Sequence, residues 1–418
     1  MTESMACKNR HLSLDELRTT VEKGVAGLNL DGKKVLTLIP DHTRSGPFGE
    51  MYRILCETLG QRAAELHFLI ALGTHPPLEE ERINEHLGLT PEERSGKYSE
   101  FKIFNHLWSD PNALATIGTI PASEIDEISS GLFSEDVPVE INKMIFDYDA
   151  LLIMGPTFPH EVVGFSGGRK YIFPGIAGPQ IINFFHWLGA VITNIEINGT
   201  KHTPVREVVD RASEMIDIPV HCCSLVVTDG QANGIFIGDP VDAWSEAADL
   251  SSGLHIKYLD RQYPRVLAIA PEMYDDIWTA GKCMYKLEPI VADGGELVIY
   301  APHIDEISYT HGKVLDEIGY HTRDYFLKQM DKFKDYPRGV TAHSTHVRGI
   351  GTFEDGVEKP RVTVTLATRI PEERCRKVHL GYRDPDTITV SDWEGREDEG
   401  ILVVHHAGEI LHKLKSNG

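Results

Sequence analysis

The sequence predicts an α/β protein made of two α/β domains, with a cofactor and substrate cleft between them. Two observations carry this. Short apolar runs at 35–39, 66–72 and 150–154 each end at a proline or glycine, and stretches of helical apolar spacing lie between runs. The residues richest in acid, base and cationic groups follow directly after those runs, where open parallel sheets bind ligands.

Taken in order, Ser13-Leu14-Asp15-Glu16 is a capping box and opens a helix to about residue 22. The run 35–39 is a buried strand, 51–64 a helix, 66–72 and 150–154 further strands. The stretch 122–140, rich in Ser, Glu and Asp, reads as an exposed insertion. Residues 179–189 have helical spacing, and 224–228 and 235–237 read as strands joined by a turn over 230–234. A second domain begins near residue 260, giving domains 1–258 and 259–418. Within it, 265–270, 296–300, 362–368 and 401–404 are strand-like, and helices are expected over 276–292, 315–334 and 408–415.

Composition narrows the function. Among 418 residues, 41 Lys and Arg stand against 63 Asp and Glu, a net charge of −22. Nucleic-acid and anionic-membrane surfaces need the opposite sign, so neither partner is expected. No run approaches the roughly 20 apolar residues of a membrane span, and residues 1–10 lack a signal-peptide core. The expectation is a cytoplasmic protein. Six scattered cysteines with no C-x-x-C pair argue against a zinc ribbon or a disulfide framework.

Three strand-end segments hold the chemistry. The first is Asp41-His42-Thr43-Arg44, the second Gly73-Thr74-His75. The third runs from His160 through Ser166-Gly167-Gly168-Arg169-Lys170 to Gly175, with His186 beyond it. Ser166-Gly167-Gly168 lets backbone amides approach an anion, though no P-loop pattern is present. Taken alone it is also an ordinary glycine turn. Lys170 beside it suits phosphate binding or covalent attachment of a cofactor. His75 and His160 can take and give protons near neutral pH. His186 is a metal ligand by type, but one imidazole needs other ligands to complete a site.

Together these segments resemble the nickel-dependent lactate racemase family, whose wider membership inverts C2 of 2-hydroxy acids. The likeness rests on Asp41 to Arg44, Ala71 to His75, the pattern H-x3-G-x-S-G-G-x-K-x3-P-G from His160 to Gly175, His186, Thr200 to Arg206, Gly238-Asp239, and Lys282 followed by Gly294-Gly295. It covers most of residues 30–300. The resemblance implies that Lys170 anchors a nickel-pincer nucleotide, a pyridinium dithiocarboxylate-type mononucleotide, and that His186 ligates its nickel. It implies His75 and His160 as alternating bases, and Arg44 and Lys282 at the substrate carboxylate. Asp41, Thr43, Ser166, Gly167 and Gly168 would hold the nucleotide. The implied partners are a small 2-hydroxy acid and the proteins that synthesise the cofactor.

One departure bears on substrate. Thr279 stands where the lactate enzyme carries a glutamine, which opens space beyond C3. The segment 343–348 adds His343, His346 and Arg348, read as a polar surface loop as readily as part of a site. A polar substrate, a sugar acid or a hydroxy dicarboxylate, is therefore expected. Two other classes fit less of the pattern. A metal-dependent hydrolase could use His75, His160 and Asp41, but lacks compact ligand spacing. A carrier or assembly protein for the nickel nucleotide would bind it without turnover.

Overall fold

The computed structural model describes residues 2–415. Two compact units divide the chain. The first comprises 1–158, 165–182 and 204–254; the second comprises 159–164, 183–203 and 255–418. The late crossing falls four residues before the expected boundary at 258. The expectation of an unbroken first domain is corrected, because 159–164 and 183–203 group with the second unit and carry His160 and His186 with them.

The first unit is built on a seven-stranded sheet. Its order is Glu3–Ala6, Gln231–Gly238, Val220–Thr228, Ala150–Pro156, Lys34–Ile39, Glu65–Ile70 and Ile103–Asn105. The last five strands in that order run parallel. Both faces of 35–39 and Ala150–Pro156 are buried, which is why these stretches are dominated by apolar residues rather than alternating. The chain proceeds outward from Lys34–Ile39 on one side, then returns to lay down Ala150–Pro156 on the other. The topological switch point therefore lies between those two strands, and the loops after both carry the candidate residues.

The helix Leu14–Ala26 opens with the expected capping box, with Ser13 Oγ accepting from the Glu16 amide, and runs past residue 22. The second helix is Phe48–Thr58 rather than 51–64, because residues 59–63 fold back in a turn on the Leu55 and Leu59 carbonyls. The hairpin turn expected at 230–234 is only Asp229-Gly230, both at positive φ, as two-residue turns require. Residues 122–140 are not an exposed insertion. They form the helix Ala122–Ile128 and most of the strand Val137–Asn142, which pairs with Leu114–Ile120 and buries Val137, Val139 and Ile141. That alternation was hidden within a polar composition.

The second unit holds a five-stranded parallel sheet in the order Gly381–Tyr382, Thr363–Thr368, Val291–Ala301, Tyr263–Ile269 and Ile401–Val404. Its switch point lies between Tyr263–Ile269 and Ile401–Val404. Three expected helices change form. The stretch 276–292 is two short helices, Ile277–Ala280 and Lys282–Leu287, before the strand begins at Val291. The stretch 315–334 breaks at Gly319, where φ is +70°, into Gly312–Ile318, Arg323–Leu327 and Met330–Phe333. Residues 408–415 contain the strand Leu411–Leu414, paired in parallel with Ile256–Leu259. The segment 343–348 is no surface loop. It ends the helix Arg338–Arg348, in which His343 and His346 are buried.

Candidate active site

In the first unit the first two strand-end segments meet residues 165–175 of the third. Asp41 is nearly fully buried after the strand Lys34–Ile39. Its carboxylate accepts a short hydrogen bond from His75 Nδ1. It also accepts from the Thr43 amide at 3.1 Å and the Thr43 hydroxyl at 2.7 Å. Arg44 donates to Thr43 Oγ1 at 3.1 Å, which closes a chain of four predicted residues. Burial opposes ionisation of Asp41, but His75, Arg44 and Thr43 outweigh it and hold the carboxyl well below its usual range. Asp41 therefore orients His75 through Nδ1.

The second and third segments are pinned together where the Gly73 amide donates to the Gly175 carbonyl at 2.9 Å. The turn Gly168–Tyr171, which carries half-buried Lys170, lies beside the Asp41 group. Tyr171 is raised by burial above all, and it feels the charges of both Arg44 and Asp41. Ser166 is locked by its hydroxyl, which accepts from the Phe158 amide at 2.9 Å. Gly167 and Gly168 hold φ of +83° and +57°. A Cβ at Gly167 would lie 2.3 Å from Thr157 Oγ1, and one at Gly168 2.8 Å from the Trp244 side chain. Both positions demand glycine.

In the second unit, His160 Nδ1 accepts from the Val162 amide at 3.1 Å, with the Glu161 carboxylate 3.4 Å from the same nitrogen. That acceptor role places the proton of the neutral ring on Nε2. The Lys286 ammonium binds the Pro159 carbonyl and ties this segment to the helix Lys282–Leu287. His186 is half-buried on the helix Pro179–Ile192 and close enough to His343 to disfavour its protonation. Lys282 sits at this unit's switch point, its ammonium 4.7 Å over the Tyr274 ring and its Cβ against Gly408. Thr279 is buried, its amide capped by Asp276 at 3.0 Å.

The sequence did not single out the aromatic frame around His343. Trp278 stacks on His343 with centroids 4.0 Å apart. Tyr285 and Tyr320 bond the two ring nitrogens of His343 at 2.8 and 3.4 Å. Trp278 neighbours Thr279 in sequence, so the C-terminal histidines do reach the segment on which the substrate expectation rests. An aromatic residue beside Thr279 and four before Lys282 was the available signal.

Among the described residues, no three His, Cys, Asp or Glu side chains gather as a metal site. The arrangement sets a histidine oriented by a buried carboxylate near a glycine loop suited to an anion. Residues 17–198 match the lactate racemase N-terminal domain family. Lactate racemases of Thermoanaerobacterium thermosaccharolyticum and Lactiplantibacillus plantarum are each 32% identical, over 160 and 163 residues. Those alignments take in 36% and 37% of this chain, and the chain spans only 32% and 33% of those relatives' lengths. A crystal structure of a Thermotoga maritima protein matches 98% of this chain and all of its own, at 35% identity and a TM-score of 0.88. The lactate racemase apoprotein of T. thermosaccharolyticum shares the fold, with a TM-score of 0.71 at 18% identity over 99% of this chain and 94% of its own. Residues 17–198 are thus similar to the N-terminal domain of lactate racemases, and the fold of the whole chain is that of the lactate racemase apoprotein.

Proposed function

We propose that this protein is a racemase or epimerase acting at C2 of a polar 2-hydroxy acid, using a nickel-pincer nucleotide. The observation that carries the reading is the buried Asp41–His75 pair set beside the Lys170 turn.

The residues fit the nucleotide. Gly167 and Gly168 pack too closely on Thr157 and Trp244 to admit a side chain, which leaves the loop backbone uncovered by its own side chains, and among the described residues the buried Thr157 hydroxyl next to Gly167 has no hydrogen-bond partner. Lys170 supplies the amine for attachment, and Ser166, Asp41 and Thr43 supply polar groups for the ribose and phosphate. A single imidazole, His186, suits a metal whose other ligands come with the cofactor. When bound, such a group supplies the acceptor and donor of the C2 hydrogen as hydride.

The protein's own groups do the rest. Nε2 of His75 takes the substrate hydroxyl proton from one hand of substrate, and the charge that develops is stabilised by Asp41 through Nδ1. On the opposite face His160 would act from its imidazolium form, giving the Nε2 proton to the substrate oxygen and reverting to the neutral ring, with Glu161 beside Nδ1 to favour the charged form. Arg44 and Lys282 are cations suited to the carboxylate, Arg44 in bidentate fashion.

The substrate tail is polar because Thr279 leaves room, and the adjoining segment offers histidine and tyrosine rather than aliphatic groups. Asp275, Asp276, Asp305 and Glu306 cluster near Tyr309 at the head of the Ile277–Ala280 helix. Negative charge there disfavours a second carboxylate, so a sugar acid fits better than a hydroxy dicarboxylate. Holoenzyme assayed on lactate, malate, 2-hydroxyglutarate, phenyllactate and gluconate tests this. Gluconate should be preferred over lactate and phenyllactate. Preference for either of those over every polar member would overturn the substrate reading.

A further inference from the structure

The stretch Thr200 to Arg206 matches the family pattern, yet none of its residues has a role in the proposed chemistry. Arg206, on the helix Pro204–Ser213, is 3% exposed. It donates to the Phe165 carbonyl, and to the Gly167 carbonyl at 3.5 Å. Its guanidinium lies 4.0 Å from the centroid of the Trp244 ring, and Trp244 Nε1 donates to the intervening Ser166 carbonyl at 2.9 Å. Three successive carbonyls of the glycine loop are thus held from one side by two side chains stacked on each other. A trans peptide points its carbonyl and following amide in opposite directions. Holding the Ser166 carbonyl toward Trp244 therefore turns the Gly167 amide away from it. Burial lowers Arg206 to about 10, so it stays charged at neutral pH. A buried cation is costly, and here it lies directly behind a loop flanked by Arg169 and Lys170, where its charge favours an anion.

We propose that Arg206, backed by Trp244, is the positioning residue of this site: it fixes the Phe165–Gly167 backbone so that the loop accepts the nucleotide phosphate and Lys170 is held for attachment. This rests on the reading of Lys170 as the anchor.

The test uses full-length Arg206→Gln, Arg206→Lys and Trp244→Phe, each produced beside the cofactor-synthesis proteins. Two quantities are read on the folded, monodisperse fraction: hydrogen exchange of the loop peptide spanning 164–170, and the adduct carried per molecule by intact mass. In Arg206→Gln, loop exchange should rise and adduct should fall, each about ten-fold, as expected for loss of charged hydrogen bonds. Exchange over Lys34–Ile39 should be unchanged. Arg206→Lys should recover part of both losses. Trp244→Phe keeps the ring and loses one donor, so it should show a smaller loss and covers the case in which Arg206→Gln does not fold. Unchanged loop exchange in Trp244→Phe and in whichever Arg206 variants fold overturns the proposal. So does a loosened loop with full adduct. Wild-type protein with no adduct on Lys170 overturns the anchor reading instead, and the exchange data then still report whether Arg206 orders the loop.

Discussion

At Asp41, burial and ionic partners pull in opposite directions, and the partners win. A carboxylate held this way can orient an imidazole without taking its proton. Asp41→Asn keeps the shape but offers an amide where His75 needs an acceptor. It should lower kcat on the order of 10²–10⁴-fold with the fold intact by circular dichroism. A variant within a few-fold of wild type would remove Asp41 from the mechanism. Lys170→Ala should carry neither adduct nor activity, whereas His186→Ala should keep the adduct and lose nickel, as read by intact mass and metal analysis. An adduct on another lysine would show that the anchor is misassigned.

At the scale of elements, the strands bearing the site were legible because strands buried on both faces are written as unbroken apolar runs. Asp41, His75 and Lys170 could then be placed simply by following each run to its end. The second unit was harder. Its helices are short and interrupted at Gly281 and Gly319, so no long periodic stretch marks them. The helix Arg338–Arg348 is polar in sequence yet buried. Its His343 is satisfied by two tyrosines and stacked on a tryptophan distant in the chain, which periodicity does not reveal. The strand Leu411–Leu414 owes its form to pairing with Ile256–Leu259 rather than to local preference. One consequence is measurable. His343→Ala strands the hydroxyls of Tyr285 and Tyr320, so it should cost about 1–3 kcal/mol of stability by urea unfolding. A surface-loop histidine would leave the midpoint unchanged.

Across the whole molecule, buried imidazoles set a pH limit. Burial lowers His106 to about 4, His346 to about 3 and His412 to about 4. The unfolded chain binds protons at these positions near pH 6.5 while the folded chain does not. Their contribution is therefore complete above about 6.5 and is lost as pH falls toward 3–4, by on the order of 1.4 kcal/mol per pH unit for each group. Urea midpoints should fall between pH 7 and 5, and His106→Gln should flatten that slope. A midpoint that holds or rises on acidification would contradict this account of the core. No helix among the described residues is long and apolar enough to cross a membrane.

The central claim is inversion at C2 by hydride rather than proton transfer, and turnover in deuterated water tests it most directly. Holoenzyme made beside the cofactor-synthesis proteins is given one C2 epimer of gluconate in D2O. The products are separated by chromatography and C2 is read by proton NMR. The account predicts that the second epimer accumulates with protium retained at C2, because a hydride never meets solvent. Rapid deuterium incorporation at C2 would show that His75 or His160 abstracts a carbon-bound proton, and would contradict the mechanism proposed here.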